Sequence, residues 1–503
     1  MKNLFTLLFS ILVLTALAQD GTPDSDFGTN GVSMVELGDG ERIFGMEVLL
    51  DGKILFLTEV FSTAFNEDLP TVGRLNEDGS LDVSFGTNGT TPIQADVAFE
   101  QFELTVDDQN RPLVLIPTTD QLEIVRLTPN GSLDNDFDFD GRAIIDVGVE
   151  QEFPRGVMVR PDGKIVVVMK YDGNHAAAQL TSNGSLDVSF GSGGTVAHTF
   201  VGDSQGIVGM ELQADGKILI CGSTEFTWGR PMSLVRLNAD GSVDNTFDDD
   251  GIKHRLIGGE DLAYAVHAYA DGKILIAGQA NYGSEDIRGA LAAFNEDGSA
   301  YDMFGNSDIR TLNLSGNVDW FTAMKVQSDG KILAAGYFDW NQGGNNEPFW
   351  VVRFNTDGTL DPTFSTDGSV TVTLTGFQVL GTELSLTASG DIIVGARIVS
   401  PTSDGLSFLK LRSGVGSYID ERNAIDLNVY PNPTSETLVV NLSQLTGDNT
   451  EVAIVDAMGR TVLSSYQVSG STVTMDISEL PEGMYFGTVN SETELGKFQF
   501  VKN

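Results

Sequence analysis

One short stretch limits what this chain can become, because it keeps coming back. Leu50-Asp51-Gly52-Lys53-Ile54 recurs as Asp162-Gly163-Lys164-Ile165, Asp215-Gly216-Lys217-Ile218, Asp271-Gly272-Lys273-Ile274 and Asp329-Gly330-Lys331-Ile332, with weaker copies at Gln109-Asn110-Arg111 and Ser389-Gly390-Asp391-Ile392. The starting positions 51, 109, 162, 215, 271, 329 and 389 are 58, 53, 53, 56, 58 and 60 residues apart. A repeat of that period means copies of one supersecondary unit stacked on each other. Asp-Gly between apolar, β-branched runs is a hairpin signal, since Gly takes positive φ without strain; a type I′ turn is the expectation at each copy.

From about Val32 each unit reads as four short strands, in unit one Val32–Leu37, Gly45–Leu50, Lys53–Glu59 and Val72–Asn76, and no window shows a helical period. A second motif separates the units: Leu81-Asp82-Val83-Ser84-Phe85-Gly86-Thr87-Asn88-Gly89 and its relatives around Phe137, Phe190, Phe247, Phe304 and Phe364. A further copy, Asp24 to Gly31, precedes the first unit, and none follows the seventh. The start therefore carries the piece that the end lacks, as in a closed ring, which removes exposed sheet edges. The expected class is all-β: a seven-bladed β-propeller of four-stranded blades over residues 19–412, then a linker, 413–425, and a small Ig-like β-sandwich, 426–503.

Charge limits the partners. Lys and Arg number 29 and Asp and Glu 71, so the formal net charge is −42. Such a chain repels nucleic-acid phosphates and anionic lipid headgroups. Cys221 is the one cysteine, so no disulfide forms within the chain. Met1-Lys2-Asn3, the apolar run Leu4–Leu14 and Ala16-Leu17-Ala18 have the parts of a signal peptide, residues 1–18, cut before Gln19. No later stretch has the length of a transmembrane helix, so no transmembrane segment is expected in the mature chain.

Two resemblances follow from the motifs. The Asp-Gly-Lys-Ile hairpin followed by Arg74-Leu75-Asn76-Glu77-Asp78-Gly79-Ser80-Leu81-Asp82-Val83-Ser84-Phe85-Gly86 resembles the delta-sixty repeats of bacterial surface and secreted proteins, which implies a propeller and no general activity. Asn428-Val429-Tyr430-Pro431-Asn432-Pro433, Val455-Asp456-Ala457-Met458-Gly459-Arg460, Asp476 to Tyr485 and the end Lys497-Phe498-Gln499-Phe500-Val501-Lys502 resemble the C-terminal sorting domain of the type IX secretion system of Bacteroidota. That resemblance implies handling by an outer-membrane translocon and a secreted or cell-surface destination.

Chemistry is thinly marked. Gly202-Asp203-Ser204-Gln205-Gly206 has the spacing of a nucleophile elbow but precedes a strand rather than a helix. The four histidines, His175, His198, His254 and His267, show no zinc-binding spacing. No catalytic residue is therefore nominated, and no cofactor is expected beyond calcium: Asp136, Asp138 and Asp140 in Asp136-Phe137-Asp138-Phe139-Asp140-Gly141 have the alternation of a calcium loop, without the closing Glu, since Val147 stands there. Arg74, Arg126, Arg236 and Arg353 recur at one place in the unit and read as structural partners of nearby acids.

In an antiparallel unit the Asp-Gly hairpins and Phe-Gly connectors leave from one end and the remaining loops from the other. The first set hardly varies between units; the second varies in length and content and carries Phe61, Phe65, Tyr171, Phe226, Trp228, Tyr282, Trp320, Tyr337 and Trp340. Aromatic faces among amides and carboxylates suit sugar rings or anchor a protein interface, and equally pack beneath their own loops. The expected function is non-enzymatic binding or adhesion toward a glycan or surface protein. A secreted carbohydrate-active hydrolase or lyase using loop carboxylates is the alternative, and a structural surface-layer element a third.

Overall fold

The computed structural model describes residues 20–503 apart from 39–41, 64, 120, 146–152, 172–173, 199–202, 284–285, 315–318, 338–348, 375–376, 401–403, 414–424, 443–449, 457–460, 469–471, 479, 482 and 491–494. The signal peptide at 1–18 lies outside the described residues, as does most of the linker at 413–425.

Alternating apolar runs broken by Gly, Asp and Asn give strands throughout, and no helix occurs among the described residues. The chain opens with β1 (Val32–Val35), β2 (Gly45–Val48), β3 (Ile54–Ser62), β4 (Glu67–Leu75) and β5 (Thr90–Pro92). Strands β2 to β5 form an antiparallel sheet in chain order, and the pattern recurs in sheets that begin with Glu103–Val106, Phe153–Val159, Asp203–Leu212, Leu262–Ala268 and Ala323–Val326. The last sheet takes three strands from Gln378–Leu386, Ile392–Val399 and Asp404–Leu411, and its fourth is β1. These are propeller-like blades of four antiparallel strands.

The pairing corrects the phase read from sequence. Val32 sits opposite Leu409 and Val35 opposite Leu406, so the stretch expected to begin unit one completes the final sheet. Each unit starts one strand later than expected, because the strand after a Phe-Gly connector pairs backward onto the sheet just made. The division of loops between two ends is unchanged by this shift.

The hairpins are also corrected. Leu49 N donates to Lys53 O at 2.8 Å and Gly52 N to Leu49 O at 2.9 Å, so the loop has three residues, Leu50-Asp51-Gly52, and only Gly52 has positive φ, +80°. This is a type I turn closed by a glycine bulge rather than the two-residue I′ turn. At the second unit Asn110 takes the glycine's place with φ +58°.

The first strands of successive sheets pack side by side, and Gln378–Leu386 packs back against β2. Buried apolar clusters lie between each consecutive pair of sheets, and Phe27, Met46, Phe56, Ile393 and Phe408 fill the space between last and first. The recurring arginines tie the connectors. Arg126 Nε donates to Asp134 at 2.8 Å, Nη1 reaches Ser182 O in the next unit at 2.6 Å, and the guanidinium lies 4.4 Å from the Phe137 ring. Arg74, Arg236 and Arg353 repeat the arrangement with Asp82 and Phe85, Asp244 and Phe247, and Asp361 and Phe364. Unit three has Gln179 instead, bonded to Asp187 at 2.8 Å, and Arg160 supplies the reach to the next unit through Gly216 O at 3.0 Å.

Residues after 425 form a five-stranded and a three-stranded sheet sharing one core, with Leu438, Val440 and Met475 from the smaller and Ile454, Val489 and Phe500 from the larger.

Candidate functional site

The variable end of the blades is built from the loops between second and third strands and the links between sheets. Strands β3 and β4 carry the first such loop. Phe61, paired opposite Asp68, and Phe65, beside the left-handed Asn66, are both exposed there. In the fourth sheet Phe226 and Gly229 exchange backbone hydrogen bonds at 2.9 and 3.2 Å, closing a turn that Gly229 permits with φ +138°. The turn holds the Phe226 and Trp228 rings stacked, centroids 4.7 Å apart and planes 12° from parallel. His254 meets the Phe226 ring edge-on at 4.9 Å. Trp228 is 56% exposed. Glu225 and Arg230 flank this step, 3.4 Å apart.

Tyr282 is exposed under the Arg288 guanidinium, 4.7 Å from its ring, and Arg288 is itself forked onto Asp286 at 2.7 Å twice. Trp320 is half-buried, its carbonyl against Gly336, where a Cβ would stand 1.7 Å away. Tyr171 and Tyr337 end second strands, paired with Asn174 and Phe349. Trp340 lies outside the described residues. Phe226 and Trp228 are thus brought into contact with each other, and Trp320 sits closer to the core than a loop-tip aromatic would.

At the opposite end the structure does not gather Asp136, Asp138 and Asp140. Among the described residues no three His, Cys, Asp or Glu side chains are placed to hold a metal ion. The segment serves as a turn: Asp138 and Phe139 have φ +43° and +71°, Asp138 N donates to Asn183 O at 2.8 Å, and Arg142 N donates to Asp140 Oδ1 at 3.0 Å. An ion bound there would stabilise the fold by mass action. Adding 5 mM EDTA or 5 mM calcium is expected to move the melting temperature by less than ~1 °C; a rise of several degrees with calcium would restore the ion. Ser204 lies within the strand Asp203–Leu212 rather than on a turn between a strand and a helix.

Sequence reasoning missed a set of carboxylates, Glu59 buried and the others half-buried. Glu47, Glu103 and Glu383 lie on first strands of three sheets. Burial, reinforced by Glu383, pushes the Glu103 carboxyl up to about 8 against the pull of Arg155. Burial pushes Glu383 to about 7 with Lys325 opposing, and raises Glu47 as well. Glu59, on β3, is pushed by burial and by Glu100 to about 7, with Arg42 opposing. Each sits in a short apolar strand where a lone Glu reads as a solvent-facing residue. Counted from the hairpins, Glu47 stands four residues before Asp51, Glu103 and Glu383 six before Gln109 and Ser389, and Glu59 eight after Asp51, so no single position of the repeat marks them.

Comparisons with known proteins agree on two points. The family model described as "Secretion system C-terminal sorting domain" matches residues 428–503. The model described as "Domain of unknown function (DUF5122) beta-propeller" matches residues 118–137, 160–190, 213–247, 270–300 and 327–364. No curated protein matches the sequence. Among solved structures the chain is similar to a catalytically inactive virginiamycin B lyase from Staphylococcus aureus with quinupristin, at 10% identity and TM-score 0.40 over 75% of this chain and 98% of that one. It is also similar to the β-propeller domain of the trilobed protease from Pyrococcus furiosus, at 10% identity and TM-score 0.43 over 73% and 93%. An endo-arabinase from Bacteroides thetaiotaomicron is similar at 9% identity and TM-score 0.32 over 54% and 97%. The chain therefore carries propeller repeats and ends in a type IX secretion sorting domain, which supports export to the cell surface or beyond.

Proposed function

We propose that this is an exported, non-enzymatic binding protein: a seven-bladed propeller over residues 19–412 whose variable loop end meets a glycan or surface protein, delivered through an Ig-like sorting sandwich at 426–503. The closed succession of inter-sheet clusters supports the blade number. Tyr485 Oη donates to Pro481 O at 2.8 Å, a corner bond of the kind immunoglobulin-like sandwiches use, and this supports the second domain. Its recognition by the type IX translocon, cleavage of residues 1–18 and the delta-sixty kinship belong to the same proposal.

The observation that carries the binding reading is the Phe226–Trp228 step. A stacked aromatic pair, open to solvent and rimmed by Glu225 and Arg230, offers a flat apolar face with hydrogen-bonding groups at its edge, which suits a pyranose ring. A glycan array probed with residues 19–412 is expected to show selective binding. Trp228→Ala should weaken it at least tenfold, about 1.4 kcal/mol. No binding by the intact domain, or equal binding by the variant, would overturn the reading.

A hydrolase acting at the same end draws support from Glu59, whose raised carboxyl beside Glu100 could hold a proton near neutral pH. Polysaccharide cleavage abolished by Glu59→Gln would favour it over simple binding.

A further inference from the structure

The link between the fourth and fifth sheets fastens their loop ends together. It runs from Ile252–Arg255, the last strand of the fourth sheet, to Leu262–Ala268, the first of the fifth. On one side Arg230 N donates to Gly259 O at 3.0 Å and Asp261 N to Arg230 O at 2.6 Å; on the other Gly259 N donates to Asn281 O at 2.7 Å. Asp261, 0% exposed, fixes the link from within, since its carboxylate accepts from Ile257 N at 2.6 Å, Gly258 N at 3.0 Å and Asn281 N at 3.2 Å. A Cβ on Gly258 would stand 2.3 Å from Asn281 O, so the close approach requires glycine. The backbone at Arg230, Glu260 and Asn281 is thereby a ledge three chains wide, held by its own hydrogen bonds.

An aromatic ring stands at each side of this ledge. Trp228, two residues before Arg230, is stacked on Phe226 and 56% exposed, so Phe226 covers one face of the indole and the other is left to solvent. Tyr282 follows Asn281 directly and is exposed, with the Arg288 guanidinium 4.7 Å from its ring. Glu260, on the middle chain, is exposed, and its carboxylate accepts hydrogen bonds. Hydrogen-bonded neighbouring chains lie about 4.8 Å apart, so two such steps place the chains that bear the rings about 10 Å apart. That separation is longer than one pyranose ring and is bridged by consecutive units of a sugar chain.

Charge narrows the kind of chain. Both cations of the ledge already face a carboxylate, for Arg230 lies 3.4 Å from Glu225 and Arg288 is forked onto Asp286 at 2.7 Å twice. Glu260 adds a further carboxylate, on a chain whose net charge is −42. An acidic sugar chain meets repulsion here and finds each guanidinium matched. A neutral one is not repelled, and its hydroxyls both donate to the carboxylates and accept from the guanidinium groups.

We propose that the ledge between the fourth and fifth sheets binds a linear chain of neutral sugars, with one unit on Trp228, a later one on Tyr282, and Glu260 hydrogen-bonded to the stretch between. This rests on the aromatic step as a sugar platform and extends it from a single ring to an oligosaccharide. Two contacts made by one ligand reinforce each other, because the second forms at the effective concentration that the first imposes. Affinity accordingly rises with the length of the sugar chain until both rings are covered, and then levels off.

Cello-, laminari- and xylo-oligosaccharides of one to six units, titrated calorimetrically into the full mature chain, test this, with oligogalacturonides of the same lengths as the acidic arm. In at least one neutral series the four-unit member is expected to bind about tenfold tighter than the two-unit member, with little further gain at six. Tyr282→Ala should remove that gain and leave the two-unit affinity unchanged, while Tyr282→Phe, which keeps the ring, should retain it. Trp228→Ala should weaken binding at every length. Tyr282 is exposed, so its loss should spare the fold. No gain with length, a gain that survives in Tyr282→Ala, or tighter binding of the acidic series would overturn the proposal and leave the single aromatic step standing; no binding by any series would overturn both.

Discussion

Deletion of residues 20–37 is expected to abolish cooperative melting of the blade region, the largest effect that any short change to this chain should have. Those residues form the fourth strand of the final sheet, with Val32–Val35 in register against Leu406–Leu409. Gly21 N donates to Arg412 O at 2.7 Å, Asp24 N to Lys410 O at 2.8 Å, and Lys410 N to Gly31 O at 2.9 Å. Asp24 Oδ1 also accepts from Arg412 at 2.9 Å. Phe27 is fully buried among Phe56, Phe408 and Ile393. Without the segment, Asp404–Leu411 becomes an open sheet edge, and the cluster between last and first sheets loses its outer wall. A single substitution isolates the packing part: Phe27→Ala should cost about 3–5 kcal/mol. Calorimetry and limited proteolysis of residues 38–412 against 20–412 decide the matter. A truncated chain melting within ~2 °C of the longer one would show that the ends contribute little to the closure.

Local signals carried most of the architecture. The Asp-Gly hairpins, the Phe-Gly connectors and the motifs of the sorting domain are short, and each depends on backbone needs that a few residues meet by themselves. Gly52 and Asn110 were legible as left-handed positions because few other residues adopt that conformation readily. What escaped depended on distance along the chain. Val32–Val35 has the composition of any strand in the repeat, and only its partner nearly 380 positions later reveals which sheet owns it. The turn type escaped for a smaller reason, since Asp-Gly serves both two-residue and three-residue loops and the difference is one step of register. For Asp136, Asp138 and Asp140 the sequence leaves two readings, because alternation of acids is shared by calcium loops and by turns that cap backbone amides. The influence of Lys325 on Glu47 and Glu383 was invisible unit by unit, since the three stand on first strands of different sheets.

Arg353 is where closure and local chemistry meet, and Arg353→Ala is expected to cost about 3–5 kcal/mol, the range for breaking a buried ion pair while leaving its partner uncompensated. The guanidinium is 0% exposed. Nε holds Asp361 at 2.7 Å, Nη2 holds Asp20 at 2.8 Å, Nη1 bonds the Ser413 carbonyl, and the plane lies 4.7 Å from the Phe364 ring. One side chain thus joins the sixth connector to both ends of the ring. Asp361 reports on it: burial pushes its carboxyl up, but hydrogen bonds from Thr363 and Lys331 and the charge of Arg353 outweigh that and hold it at about 2. A carboxyl held below its unfolded range stabilises the fold at neutral pH, and the contribution disappears as pH falls from about 4 to about 2. Urea unfolding of the wild type should therefore weaken over that window, and Asp361→Asn should flatten the dependence. Arg42→Ala is the control, since its pair with Glu100 at 3.1 Å is about half exposed on both sides and should contribute less than about 1 kcal/mol. Equal losses in Arg353→Ala and Arg42→Ala would mean that the arginine between the two ends of the ring is an ordinary surface contact, and the closure would then rest on β1 and Phe27 alone.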